Sequence, residues 1–287
     1  MDSPLVTVGM VVRNCEHTLG PAIASIINQT LQNWELLVID DGSSDATMSL
    51  ASSFSDPRII TISDGTVVLD RKHHGLPGRL NQAVKLARGK YFARMDGDDV
   101  AYPERFRRQV DFLEVNSDVD LLATAMIVFK DDGTVLGWRP VPTSHEEICA
   151  RPWAGFPMGH PTWMGKLKWF RKNPYFEGCV RMEDKELLFR TCKTSTFACI
   201  NEPLLAYREN SLSVTKVMRA RWGFAKVLVS EGNLKEVVLG LGGQALASLR
   251  DVAAISSGLN YKLLKHRAVP VTPNLMKGWA QLWSSSI

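Results

Sequence analysis

Leu36-Leu37-Val38-Ile39-Asp40-Asp41-Gly42-Ser43-Ser44-Asp45 is the stretch that decides the fold. A short apolar run reads as a strand buried on both faces, and Asp40-Asp41-Gly42 halts it. Ser43 or Ser44 can cap a following helix, with Asp45 in its first turn. Upstream, Leu5 to Val12 is a second apolar, β-branched run, and Leu19, Ile23, Ile26 and Ile27 recur at helical spacing between the two. Downstream, Arg58 to Ile62 makes a third strand. Leu80, Ala83, Val84 and Ala87 mark a helix face, closed by Gly89 in a C-cap role. Tyr91 to Met95 makes a fourth strand, and Asp96 sits where it ends. This alternation predicts an α/β fold with a mostly parallel, doubly wound sheet flanked by helices. Ligands of such sheets bind beyond the carboxyl ends of the strands. Asp40-Asp41 and Asp96-Gly97-Asp98-Asp99 both fall there, although loop aspartates are ordinary at strand ends in any case.

From 131 to 215 the pattern loosens, with prolines and aromatics (Trp138, Trp153, Phe156, Trp163, Trp169) interspersed. A helix is expected around Glu183 to Cys192, a strand near Phe197 to Ile200, and a further segment from Pro203 to Arg208. Beyond Lys216 the chain reads as helical to about Lys265. The net charge of +4 conceals an asymmetry: residues 216–287 hold 10 Lys+Arg against 3 Asp+Glu (+7), which leaves 24 against 27 (−3) in residues 1–215. An excess of that sign suits an anionic partner surface, or equally a solvated helical face. The five cysteines (Cys15, Cys149, Cys179, Cys192, Cys199) form no C-x-x-C pair, which argues against a disulfide framework or zinc site and suits a reducing cytosol. Met1-Asp2-Ser3-Pro4 has no signal-peptide character. The longest uncharged run of the tail, Val237 to Leu249, is 13 residues with three glycines, so no membrane-spanning segment is expected.

A dinucleotide-binding dehydrogenase of this topology needs G-x-G-x-x-G after the first strand, where this chain has Arg13-Asn14-Cys15-Glu16-His17. No Walker A sequence is present. Phosphates must then be neutralised by other means, and a divalent metal held by carboxylates is the direct route. Mg²⁺ and Mn²⁺ favour one or two carboxylates plus substrate phosphate oxygens. Asp96-x-Asp98 at a strand end supplies such a site, with Asp99 beside it.

Several motifs in order then resemble family 2 glycosyltransferases, which have the GT-A fold. They are Asn14, Glu16, Leu19, Ser25-Ile26, Gln29-Thr30 and Trp34-Glu35, then Val38 to Asp45, Leu80-Asn81, Ala87 to Tyr91 and Ala93 to Asp99. Pro103-Glu104-Arg105, Met182-Glu183-Asp184 with Leu187 and Arg190, Glu202-Pro203-Leu204 and Tyr207-Arg208 follow. The resemblance covers roughly residues 5 to 215. It implies a catalytic region 1–215, with a nucleotide-sugar half (1–130) and an acceptor half (131–215), and a basic helical extension at 216–287. It also implies a metal-dependent, inverting transfer of a hexosyl or related sugar from a nucleotide-diphosphate sugar to an acceptor hydroxyl. The acceptor would be a glycan or lipid-linked glycan of cell-surface polysaccharide or glycolipid synthesis, with Mn²⁺ or Mg²⁺ as cofactor and no nucleic-acid partner. By resemblance Asp40 accepts a hydrogen bond from the base, with Asp41 and Arg13 nearby. Asp96 faces ribose and metal, Asp98 is the direct metal ligand, and Asp184 is the general base. Glu183, His160 and Arg208 fall on the acceptor side. The setting implied is cytoplasmic, with a peripheral position on the inner face of the membrane as an added possibility for the basic tail.

Blander readings stand beside these. Asp41 and Asp45 can cap a helix, which is the preferred account of Asp45. Glu183 can orient its neighbour or pair with Arg181. His73 and His74 read as exposed loop residues, and His160 as either an acceptor-side or a structural group. Arg79 and Arg88 are weak candidates for the diphosphate. Val11 and Arg13 depart from the family's usual proline and aromatic before Asn14, and Asn210 stands where many members have histidine. Base preference and acceptor contacts are therefore open. A sugar nucleotidyltransferase would need a G-G-x-G-T-R-L type loop that is missing, and a pure sugar binder would need no base such as Asp184.

Overall fold

A computed structural model describes residues 3–63, 75–179, 181–210, 214–257 and 268–286. His73, His74 and the expected helix end at Lys265 lie outside the described residues. The first half follows the expected order: β1 (Val6–Val12), α1 (Leu19–Ile27), β2 (Trp34–Asp40), α2 (Thr47–Ser52), β3 (Ile59–Ile62), α3 (Gly75–Leu86) and β4 (Tyr91–Asp96). These strands lie parallel in the order β3-β2-β1-β4. Alternate residues serve opposite faces. Val6, Val8 and Met10 pack with Leu19, Ile23 and Ile26 of α1, while Leu37, Ile39 and Phe92 pack with Leu80, Ala83 and Val84 of α3. A helix on each face is why both strand positions had to be apolar.

Beyond β4 come β5 (Val100–Ala101), α4 (Arg105–Val115), β6 (Leu121–Phe129), β7 (Val135–Arg139), α5 (His145–Ile148), β8 (Met164–Lys166), α6 (Leu167–Lys172), α7 (Glu183–Thr191) and β9 (Phe197–Arg208). They extend the sheet as β4-β8-β6-β9-β5, with β7 paired to β6. β8 runs antiparallel to both neighbours and β6 parallel to β9, so the doubly wound parallel character belongs to β1–β4 and the whole sheet is mixed. The two expected pieces at Phe197 to Ile200 and Pro203 to Arg208 are one strand. The register against β6 shifts around Ala125, which pairs with Pro203, and such an irregularity tolerates a proline.

Two local expectations are corrected. Gly89 is no left-handed cap: a Cβ there would stand 2.6 Å from the Thr7 amide nitrogen, so the residue lets the chain pass close to β1. Ser43 and Ser44 do not cap α2. Asp45 does the nearest equivalent work, accepting from the Thr47 amide at 3.0 Å.

The extension consists of α8 (Val214–Glu231), α9 (Leu234–Ser256) and α10 (Pro273–Ser286). α8 and α9 form a hairpin tied by an ion pair between Arg221 and the buried Asp251, with Gly240 against Leu228. The expectation that nothing is long enough to span a membrane needs correction. α9 continues through Arg250 and Asp251 to 23 residues, with a mean hydropathy of 1.2 over its best window and only 11% of that window buried. Among the described residues it is the one helix long and apolar enough to cross a bilayer by length and composition. α10 returns to the sheet, where Trp279 and Leu282 are buried against Phe129, Ile127 and Ala206. The five cysteines are free.

Candidate active site

Register brings the acidic clusters to one edge. Val11 of β1 pairs with Asp96 of β4, and Val12 pairs with Asp40 of β2. The two aspartates thus end the strands on either side of β1, about 10 Å apart across the sheet. The loop after β1 is latched to the loop after β2. Ser44 donates its amide to Asn14 Oδ1 at 2.8 Å, the Asn14 amide donates to Ser43 Oγ at 3.0 Å, and the Ala46 amide donates to Glu16 Oε2 at 2.8 Å. Much of the signature from Asn14 to Asp45 therefore shapes the rim. Gly97 completes it: a Cβ there would meet Val12 Cγ1 at 2.8 Å, so only glycine lets the aspartate loop settle on the end of β1.

A cavity of about 650 Å³ opens on this rim, a size suited to a nucleotide-sized ligand. Arg13, Asn14, His17, Asp96, Asp98 and Arg208 are among the residues that line it. Asp40 and Asp41 stand just behind. Asp40 takes the Ser43 amide at 3.0 and 3.1 Å and the Ser43 hydroxyl at 2.5 Å. Asp41 meets the buried Arg79, Nε to Oδ1, at 3.3 Å. Arg79 is thus occupied by Asp41. Arg88 binds Glu35 at 2.8 Å at the far, amino end of the strands, which rules it out as a diphosphate ligand.

Oxygens of Asp96, Asp98 and Asp99 lie within 4.8 Å of one another. Asp96 is paired with Arg94, two residues earlier on the same face of β4. Asp98 is exposed to solvent at the rim. The protein around it and then the Asp96 charge push its pKa up to about 6. Asp99 is fully buried, held well above the usual carboxylate range by burial and by the charges of Asp98 and Asp96. It accepts from the Arg208 amide at 2.9 Å through Oδ1, and its Oδ2 has no partner. Crowded carboxylates, one with an orphan oxygen, are the donor set that a hard divalent cation takes.

Asp184 opens onto a second cavity of about 520 Å³, shared with Arg139, Phe156, Met158 and His160. It stands in the first turn of α7, where the helix dipole favours a carboxylate. Among the described residues no side chain donates to it. Glu183 is buried instead. Burial, then the Asp184 charge, raises it to about 7; its Oε2 has no partner, and what Arg181 gives it is a backbone hydrogen bond. His160 is buried beside Trp163, with Nε2 2.9 Å from the Tyr175 hydroxyl, and burial and the Arg94 charge hold it well below the usual range. Arg94 is buried and lines neither cavity. It pairs with Asp96 on one side, and its charge reaches His160, Tyr175 and Glu183 on the other.

Three placements differ from expectation. Arg208 lines the aspartate cavity and not the Asp184 cavity, because its Nε donates to the Asp98 carbonyl at 2.7 Å. Arg94 carried no assigned role, although its two-residue spacing from Asp96 on a strand signals a shared face. Asp131 was unforeseen: it receives Arg208 Nη1 at 2.9 Å and Asn210 Nδ2 at 2.7 Å, from a turn with no motif of its own.

The family profile described as glycosyl transferase family 2 matches residues 7–191. The chain belongs to that family. It is 36% identical over 192 residues to the putative glycosyltransferase EpsE of Bacillus subtilis, covering 65% of this chain and 66% of EpsE. It is 37% identical over 117 residues to the UDP-Glc:alpha-D-GlcNAc-diphosphoundecaprenol beta-1,3-glucosyltransferase WfgD of Escherichia coli, covering 41% and 44%. Among solved structures, S. aureus TarS 1-349 in complex with UDP-GlcNAc superposes with a TM-score of 0.61 at 14% identity, over 98% of this chain and 80% of that one. At that identity the likeness is one of fold. The family 2 assignment makes the chain a glycosyltransferase and bears out the expected fold, including the helices after the sheet.

Proposed function

We propose that this family 2 glycosyltransferase moves a hexosyl or related sugar, with inversion, from a nucleotide-diphosphate sugar to a hydroxyl of a glycan or lipid-linked glycan. The setting is cell-surface polysaccharide or glycolipid synthesis. The observation that carries it is the cluster of Asp96, Asp98 and Asp99 at one cavity, with the carboxylate of Asp184 on a second. The beta-1,3-glucosyltransferase activity of WfgD and the UDP and UDP-GlcNAc complexes of TarS support the donor and acceptor classes.

In this reading Asp40 and Asp41 receive the base, and Arg13 stacks on it or meets its phosphate. Asp96 and Asp98 would hold Mn²⁺ or Mg²⁺, which would supply Lewis-acid stabilisation of the leaving diphosphate. Asp184 takes the proton of the acceptor hydroxyl as that oxygen attacks the anomeric carbon. Arg94 keeps Asp96 in place, while His160, neutral and hydrogen-bonded to Tyr175, lines the acceptor side. A panel of nucleotide sugars incubated with Mn²⁺ tests this: one donor should be slowly hydrolysed, and hydrolysis should stop in excess chelator. No hydrolysis of any donor, or hydrolysis indifferent to chelator, would sink the metal-dependent reading.

Peripheral attachment to the inner leaflet belongs to the same proposal. Trp279 and Trp283 cannot serve it, because they face the sheet. α9 can: Leu234, Val238, Leu249 and Leu246 are exposed on the side away from Gly240 and Asp251, with Lys235 and Arg250 on the same helix. Exposed apolar surface flanked by cations suits an anionic lipid surface. Deleting the whole tail would remove α10 from the core, so point substitutions are the cleaner probe. Full-length protein should float with anionic liposomes at low salt and less so at high salt. Val238→Glu with Leu249→Glu should stay at the bottom of the gradient. Equal flotation of both proteins would remove α9 as the anchor.

A further inference from the structure

Trp279 and Trp283 lie four residues apart on one face of α10, and their rings stack at 5.2 Å. Phe129, the last residue of β6, is 4.7 Å from the first ring and 5.5 Å from the second, centroid to centroid. Trp279 Nε1 donates to the Gly133 carbonyl at 3.1 Å, which keys the helix to the turn between β6 and β7. The Arg208 guanidinium carbon stands 4.7 Å from the centre of that same Phe129 ring. Arg208 then grips the aspartate loop: Nε holds the Asp98 carbonyl at 2.7 Å, and the backbone amide holds Asp99 Oδ1 at 2.9 Å. Its Nη1 binds Asp131, which belongs to the turn that Trp279 holds.

We propose that α10 is a positioning element for the donor site, setting Phe129 and the 130–134 turn so that Arg208 fixes the backbone of Asp98. This rests on the reading of Asp98 as a metal ligand. A planar guanidinium seated on an aromatic ring and tied at both ends has one orientation, which a flexible ammonium would lack. The carboxylate of Asp98 is exposed and takes a hydrogen bond from its own backbone amide, so its placement depends on that backbone. Misplacing a reacting group by about 1 Å costs on the order of 10²-fold in rate. α10 thus acts on the chemistry without touching substrate.

Trp283 is the residue to change, because it is only partly buried and its loss leaves a surface notch. Mn²⁺ alone is titrated into full-length protein and followed by loss of the free-ion EPR signal. Mn²⁺-dependent donor hydrolysis and urea unfolding are measured in parallel. Trp283→Ala and Phe129→Leu should weaken Mn²⁺ half-saturation about tenfold and lower kcat for hydrolysis by about 10–10²-fold. Trp283→Phe, which keeps a ring against Phe129, should restore both. Unchanged Mn²⁺ half-saturation in Trp283→Ala and Phe129→Leu overturns the proposal, whatever happens to the unfolding midpoint. If Trp283→Ala does not fold, Phe129→Leu and Trp283→Leu decide by the same criterion. Wild-type protein that binds no Mn²⁺ overturns the metal reading first, and this inference with it.

Discussion

Asp184→Asn is expected to lower transfer by about 10²–10⁴-fold while leaving donor affinity unchanged. The amide has nearly the carboxylate's shape, so the cavity it shares with His160 and Phe156 keeps its form. What disappears is the ability to take a proton. Glu183 next door cannot replace it, since it is buried and does not line that cavity. In the proposed reading donor binding belongs to the other cavity, whose lining does not include Asp184. The check is a pair of measurements: acceptor-dependent turnover, and donor affinity by titration in the absence of acceptor. A collapse of donor affinity in Asp184→Asn would assign the residue to the wrong side.

Asp98→Ala should abolish metal-stimulated transfer, a loss of about 10²–10³-fold or more, with the fold intact. The Asp98 side chain is exposed, and the contact that anchors the loop runs from Arg208 to the Asp98 carbonyl, which alanine retains. Removing one of several crowded like charges also relieves Asp99, whose carboxyl is raised in part by Asp98. Thermal stability should therefore hold or rise slightly. Mn²⁺ titration of activity, beside a melting curve, checks both parts. Full activity in Asp98→Ala would remove the metal role from this residue.

The parallel half of the molecule was readable residue by residue. Strands buried on two faces must be apolar throughout, and their ends are marked by Asp40 and Asp96, so β1, β2 and β4 and their shared edge follow from local pattern. The mixed half was less legible, because its pairings are remote. Nothing within Leu121–Phe129 announces that it will lie parallel to β9, and a register irregularity at Pro203 disguised one strand as two. The site divides in the same way. Asp96, Asp98 and Asp184 came from motifs. That Arg208 lines the aspartate cavity was not legible, because its partners, Asp98 and Asp131, are distant in sequence. Arg88 stayed a weak candidate because helix-end arginines look alike until the sheet edge they face is known. In the tail, composition could not separate Trp279 and Trp283, which bury against Phe129, from Trp222, which remains 68% exposed.

The bond from Arg208 to the Asp98 carbonyl spans 110 residues of chain. A nascent chain grows at about 5–20 residues per second and its domains fold from the amino end, so the parallel half emerges roughly 5–20 s before Arg208 leaves the ribosome. During that interval β1–β4 can assemble from neighbouring crossovers, yet the aspartate loop has no clamp. Contacts of such long separation are also the slow ones to close. Fragments released before Arg208 will therefore carry the acidic signature without the clamp on its loop. Donor-site competence is in this sense a late event in the life of the chain, reached only once Arg208 can close on the aspartate loop.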